Sequence, residues 1–294
     1  MEKIFEIAIV GTGPAGLSAA LNCHSRDKDF VIIGPKEGSK KLKMTKMVEN
    51  YLGFLPGSGN DLNELFLSTI TKLNLEYIDT NVSNVYSLPD SFFIELANGH
   101  MIQAKSVILA TGVSPSKEIK NESSYLGDGI SYCATCDANL YKDKEVVVVG
   151  YNHEAIEEAR FLNTVVKKVT FVNCLKDPEE IGDIDDIEII NDKPISFEKD
   201  SKIKLNLKSS QIEADGFFVI RDSKSISNLV PGIIEDKGHI KVDQNYQTNI
   251  KGLYACGDVI GLPYQIAKAV GEGNICGLNA CKDIEILKYQ KRKA

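Results

Sequence analysis

The sequence predicts an α/β protein built on two largely parallel sheets, and three features carry that expectation. Short apolar strands alternate with helical segments along the 294 residues. Two of the strands, Phe5 to Val10 and Val146 to Val149, each run into a glycine-containing turn, then a helix, then another apolar strand. The length exceeds one ordinary hydrophobic core, so each of these βαβ starts is expected to open its own domain.

Taken in order, the first start places Gly11-Thr12-Gly13-Pro14-Ala15-Gly16 after its strand, a helix from Leu17 through Cys23, and a second strand at Phe30 to Ile33. The second start places Gly150-Tyr151-Asn152-His153-Glu154-Ala155 after its strand, a helix through Leu162, and a strand at Val169 to Val172. Between them, Gly112-Val113-Ser114-Pro115-Ser116 interrupts the apolar pattern, and Glu235-Asp236-Lys237-Gly238 does so again further on. The expected organisation is a split outer domain, residues 1–114 and 239–294, with a central domain, 115–238, inserted into it.

Composition excludes several classes. Hydrophobic residues make up 43% and charged residues 26%, as in globular proteins, and no apolar run is long enough to span a membrane. The start, Met1-Glu2-Lys3-Ile4-Phe5-Glu6, lacks the basic, apolar and small-residue order of a signal peptide, which points to the cytoplasm. A net charge of −7 argues against nucleic acid as a partner. Seven cysteines, an odd number with only one closely spaced pair, do not make a secreted disulfide framework.

A G-x-G-x-x-G turn between strand and helix suits a dinucleotide pyrophosphate. Gly11 makes the tight turn, Gly13 lets backbone approach the phosphates, Gly16 lets helix and strand pack, and the helix start offers amide donors. Two further segments accompany it: Leu109-Ala110-Thr111-Gly112 at a strand end, and Gly252-Leu253-Tyr254-Ala255-Cys256-Gly257-Asp258, an apolar strand ending in Gly-Asp. Together the three segments resemble the FAD domain of the two-dinucleotide-binding-domain flavoproteins, a tandem Rossmann-like fold. The resemblance implies that Gly11, Gly13, Pro14, Ala15, Gly16, Gly34, Asn50, Ala110, Thr111, Gly112, Gly257 and Asp258 hold FAD, with Asp258 on the ribityl chain.

The segment Ser131-Tyr132-Cys133-Ala134-Thr135-Cys136-Asp137 adds chemistry of its own, since a C-x-x-C pair can close a small disulfide and lower a thiol's pKa toward fast attack. A zinc site would need two more Cys or His ligands nearby, and neither flank supplies them, so no metal is expected. Low-molecular-weight thioredoxin reductases carry C-A-T-C-D at this place, and Val48-Glu49-Asn50-Tyr51 is similar to their FAD-contacting V-E-N segment. The likeness covers nearly the whole chain. It implies a homodimer in which Cys136 lies next to the flavin, Cys133 attacks the protein substrate's disulfide, and Asp137 moves the proton. It also implies rotation of the central domain about the crossings near Ser114-Pro115 and Lys237-Gly238. Cys23, Cys174, Cys256, Cys276 and Cys281 read as ordinary thiols.

The second nucleotide turn departs from that family. Gly150, Asn152 and Ala155 stand where G-x-G-x-x-A is usual, so the middle glycine is missing. Asn173-Cys174-Leu175 replaces an H-R-R run that would hold a 2′-phosphate, and the acids Asp177, Glu179, Glu180, Asp183, Asp185 and Asp186 follow. Ile220-Arg221-Asp222 replaces an A-I-G turn. Losing two charge-assisted bonds of roughly 1.5 to 3 kcal/mol each weakens binding by about two to four powers of ten. The pattern is similar to flavin-type ferredoxin-thioredoxin reductases, which implies electrons from ferredoxin to FAD, to Cys133-Cys136, to thioredoxin. Lys36, Lys40, Lys41, Lys43 and Lys46 offer a landing patch for such a carrier, though they equally suit a solvated loop; Lys288, Lys291, Arg292 and Lys293 form a second basic cluster. A dithiol oxidase using oxygen, an NADPH enzyme with an atypical site, and a non-catalytic flavin sensor are the alternatives.

Overall fold

β1 (Ile4–Val10) is buried on both faces from Phe5 onward, as a central strand of a covered parallel sheet must be. The computed structural model describes residues 3–113, 119–175, 177, 181, 184, 186–221 and 226–293, without the side chains of Cys136 and Lys291. In chain order, β1 is followed by α1 (Pro14–Ser25), β2 (Phe30–Gly34), α2 (Lys40–Met44), α3 (Gly59–Lys72), β3 (Tyr77–Asp79), β4 (Val82–Ser87), β5 (Phe92–Leu96) and β6 (Met101–Leu109). Then come β7 (Ile130–Ser131), α4 (Ala134–Asp137), β8 (Glu145–Gly150), α5 (Glu154–Asn163), β9 (Lys168–Asn173), β10 (Glu188–Ile190), β11 (Pro194–Lys199), β12 (Ile203–Leu207), β13 (Gln211–Ala214) and β14 (Gly216–Ile220). The chain finishes with β15 (Glu235–Asp236), β16 (His239–Ile240), β17 (Leu253–Ala255) and α6 (Ile266–Lys293).

Two compact units result, Met1–Val113 with Ser225–Ala294, and Ser114–Lys224. In the first, the sheet runs β3-β2-β1-β6-β5-β4, and β17 adds in parallel to β6 with Leu253 opposite Val107. Alternation along β1 sends Ile7 and Ile9 to a core shared with α1 and α6, and Ala8 and Val10 to the opposite core. α6 lies very close to α1: a Cβ on Gly273 would fall 2.1 Å from the carbonyl oxygen of Ala15. In the second unit the sheet runs β10-β9-β8-β14-β7, accompanied by the antiparallel β11-β12-β13.

The return to the first unit comes ahead of the turn at 235–238 that the sequence marked as a crossing. Val230 and Ile233 already belong to the core of Val85, Ile94 and Val107, and the Val85 amide donates to the Leu229 carbonyl at 2.7 Å. The Lys237-Gly238 punctuation instead turns the β15-β16 hairpin, with φ of 48° and 78° at its two turn residues. The other expected crossing, at Ser114-Pro115-Ser116, lies outside the described residues, as do Glu179, Glu180, Asp183, Asp185 and Asp222. No helix among the described residues is long and apolar enough to cross a membrane.

Candidate active site

In the first unit the glycine turn after β1 divides its labour physically. Gly11 has φ of +122° and a Cβ there would sit 2.1 Å from the Ala110 carbonyl oxygen; at Gly16 it would sit 2.0 Å from that of Gly11. Both glycines are therefore required by the protein's own packing. Gly13 is different: its φ of −79° and ψ of −179° suit any residue, and the nearest atom to an added Cβ is the Ser39 Cβ at 3.8 Å. No side chain caps α1 at Gly13, and Pro14 opens the helix without needing a donor partner. The first amides of α1 have no intrahelical acceptor, and the space beside Gly13 leaves room for a pyrophosphate to reach them. Thr111 and Gly112 follow β6, with nothing within 4 Å of a Cβ on Gly112. Gly257, at φ +81°, turns the end of β17 toward Asp258. Gly34 closes β2 against Thr12, and Asn50 donates to Gln265 Oε1 at 2.9 Å. These residues fit a dinucleotide with a hydroxylated chain reaching Asp258.

In the second unit Cys133 is buried and disulfide-bonded at the start of α4. Cys136 lies on the same short helix, its side chain outside the described set; Cys23, Cys174, Cys256, Cys276 and Cys281 are free thiols, as expected. Burial pushes the Cys174 thiol up to about 11, away from thiolate reactivity. Ser131 organises the segment: its hydroxyl donates to Asp137 Oδ2 at 2.6 Å and accepts the Cys133 amide at 3.1 Å. Glu158, on α5, accepts the Ala134 amide at 2.8 Å. Asp137, the last residue of α4, is thereby fixed by Ser131 on the helix that carries the cysteines.

Sequence reasoning missed Ser131 and Glu158. Glu158 left a signal, because it interrupts the buried stripe of Ala155, Ala159 and Leu162 on α5. It also missed Glu122, a fully buried carboxylate that pairs with Arg221 and accepts the Ile119 amide at 2.8 Å and the Tyr132 hydroxyl at 2.7 Å. Among the described residues two buried guanidinium nitrogens of Arg221 have no hydrogen-bond partner, so it depends on this pair and on the Tyr151 ring 5.0 Å away. Removing one partner of a buried pair is strongly destabilising, and Glu122→Ala is expected to cost about 3 to 5 kcal/mol. Urea denaturation would measure it; a loss under about 1 kcal/mol would mean that Arg221 finds another partner.

The second nucleotide turn is filled by its own side chains. Asn152 Oδ1 accepts the Ala155 amide at 3.2 Å, using a donor at the start of α5. Asn173 Oδ1 accepts the Leu175 amide at 3.1 Å, and its Nδ2 donates to Asn191 at 2.9 Å. Gly150 is retained for packing, since a Cβ there would meet the Phe171 ring at 2.2 Å. Arg221 and Tyr151, at the carboxyl ends of β14 and β8, come together where an open parallel sheet usually receives its ligand.

The sequence profile of the pyridine nucleotide-disulphide oxidoreductases matches residues 5–273. The chain belongs to that family. A thioredoxin reductase of Listeria monocytogenes is 31% identical, with 92% of this chain and 91% of the relative covered. Among solved structures, a ferredoxin-flavin thioredoxin reductase of Clostridium acetobutylicum is 41% identical, covering 97% of this chain and 100% of that one, with a TM-score of 0.59. A thioredoxin reductase of Streptococcus pyogenes is 27% identical, covering 97% and 99%, with a TM-score of 0.84. The chain is thus a thioredoxin-reductase-type flavin disulfide oxidoreductase of two dinucleotide-binding domains, and its cofactor is FAD.

In this oxidoreductase the loop lysines do not form one free patch. Lys41 donates to Asp258 Oδ2 at 3.0 Å, and Lys43 pairs with Glu37 at 3.1 Å. Lys36, Lys40 and Lys46 are the exposed members. Of the second cluster, Lys288 pairs with the buried Glu6 at 2.6 Å.

Proposed function

We propose that this oxidoreductase takes electrons from a reduced ferredoxin and uses them to reduce the disulfide of thioredoxin through the Cys133-Cys136 pair. The observation that carries the reading is the side chain of Asn152 on the Ala155 amide, together with Arg221 and Tyr151 beyond the sheet. A pyridine nucleotide would have to displace those contacts and would find Asn173-Cys174-Leu175 after β9 in place of an arginine run for a 2′-phosphate. The higher identity to the protein named a ferredoxin-flavin thioredoxin reductase, 41% against 31% for the Listeria thioredoxin reductase, supports the same reading.

FAD, when bound, supplies the link between one-electron delivery and two-electron disulfide chemistry. The glycine turn at Gly11, Gly13 and Gly16 with Pro14 and Ala15, the segments at Gly34, Asn50 and Ala110-Thr111-Gly112, and Gly257-Asp258 hold it. Cys136 is the sulfur assigned to exchange electrons with the cofactor. Cys133 as thiolate attacks thioredoxin's disulfide, forming a mixed disulfide that Cys136 then resolves, and Asp137, oriented by Ser131, carries the proton. The reading extends to a homodimer in the cytoplasm, whose association state sedimentation would measure.

Anaerobic titration tests the donor. Reduced ferredoxin is expected to bleach the bound flavin fully, whereas NADPH in large excess leaves its absorbance unchanged over the same interval. Bleaching by NADPH at a rate matching turnover would replace the ferredoxin reading with the NADPH one. Docking has its own test, because steering by surface charge acts on association rate and fades with salt. Reversing Lys36 and Lys40 to Glu is expected to slow ferredoxin-driven reduction severalfold at low salt, with the gap closing as salt rises. Reduction by dithionite stays the same; an unchanged ferredoxin rate at low salt would move the docking site elsewhere.

A further inference from the structure

Lys41 looks, in sequence, like one more charge on a solvated loop, and the structure gives it a different address. Ser39 caps α2 by accepting the Leu42 amide, and Leu42 is buried with Val48 and Leu62. That seating turns the adjacent Lys41 toward the end of β17, where its ammonium lies 3.0 Å from Asp258 Oδ2 and 4.5 Å from the Tyr264 ring centre. The Tyr264 hydroxyl is in turn 2.7 Å from His239 Nε2. Asp258 belongs to a part of the chain 217 residues away, so the contact is made by tertiary structure and not by the local helix. The other acid beside this turn, Glu272, is engaged separately: it accepts the Gly257 amide at 2.9 Å and pairs with Lys268 at 3.1 Å.

We infer that Lys41 is a positioning residue for FAD, holding the Asp258 carboxylate in place and balancing its charge at the cofactor. The inference rests on Asp258 being a cofactor contact. A carboxylate oxygen has more than one lone pair, so Asp258 can accept from the ammonium and still take a hydroxyl of the ribityl chain. Without the ammonium, Asp258 presents an uncompensated negative charge to a cofactor that gains electrons. Reduction then becomes harder, and the carboxylate is freer to leave the geometry in which it holds the chain.

The experiment uses the full chain loaded with FAD. Lys41→Gln removes the charge and keeps a hydrogen-bonding side chain, and Lys41→Arg restores the charge. Each is titrated with dithionite against a reference dye, with no ferredoxin or thioredoxin present. In Lys41→Gln the ratio of reduced to oxidised flavin at a fixed dye ratio is expected to fall roughly tenfold, the scale of one unit charge across about 10 Å at an effective dielectric of about 20. FAD release should quicken as well, and Lys41→Arg should recover most of both effects. A dye equilibrium unchanged in Lys41→Gln overturns the inference, including the case where only ferredoxin-driven reduction slows, which would make Lys41 a docking charge. So does a Lys41→Arg protein that behaves like Lys41→Gln, because charge would then not be the cause. A parent protein that binds no FAD would instead sink the assignment of the cofactor site, an outcome visible before any variant is made.

Discussion

Replacing either Cys133 or Cys136 by serine is expected to lower thioredoxin reduction by about three orders of magnitude or more, while the protein stays yellow and its flavin still accepts electrons. The reason is that a dithiol must both attack and resolve: one thiol alone stops at a mixed disulfide or never attacks. The two variants should differ in a second readout. Cys133→Ser leaves Cys136 free to approach the flavin as a thiolate, giving long-wavelength absorbance that rises with pH as the thiol ionises. Cys136→Ser lacks that band and should trap thioredoxin as a stable mixed disulfide through Cys133. Full turnover in either variant would remove the pair from the reaction, and trapping by Cys133→Ser instead would exchange the two roles.

Gly13→Val should abolish FAD binding, weakening it by at least about a hundredfold, without unfolding the protein. The local geometry makes this a clean test. Gly13 has an ordinary extended backbone, and the nearest atom to an added Cβ is the Ser39 Cβ at 3.8 Å, so a branched side chain starts there with an ordinary contact and no backbone clash. It fills the space that a pyrophosphate needs to reach the amides of α1. Gly11→Val and Gly16→Val serve as contrasts, since there the clash is with backbone carbonyls at 2.1 Å and 2.0 Å and the fold itself should suffer. Colourless Gly13→Val protein with parental circular dichroism is the expected result. Yellow Gly13→Val protein with one FAD per chain would mean that the cofactor lies elsewhere.

What the sequence made legible is what local chemistry determines. The glycine spacing, the Gly257-Asp258 strand end and the C-A-T-C-D segment each lie within one short stretch, and the structure places them on the elements they require. Contacts made across the chain were not legible. Nothing near Lys41 announces that it meets Asp258, or near Arg221 that it meets Glu122. Asn152 could be read as a missing glycine, but not as a side chain that takes the Ala155 amide, because that depends on the rotamer the finished turn allows. The turn at 235–238 misled for a related reason: glycine punctuation is the same for a hairpin and for a domain crossing, and only the burial of Val230 and Ile233 before it separates the two.

The closure of β6 by β17, and of α1 by α6, also dictates an order of events during synthesis. Ser106 must wait for the Gly252 carbonyl 146 residues later, and Ser18 for the Val270 carbonyl 252 residues later. Every strand of the β10-β9-β8-β14-β7 and β11-β12-β13 sheets lies between Ile130 and Ile220, so on the ribosome these sheets can finish while the amino-terminal segment still shows bare apolar surface along β6 and α1. Until the last helix emerges, that surface is a target for chaperones and for other nascent copies. A chain cut short before residue 266 should therefore aggregate from its beginning, however well its middle has folded.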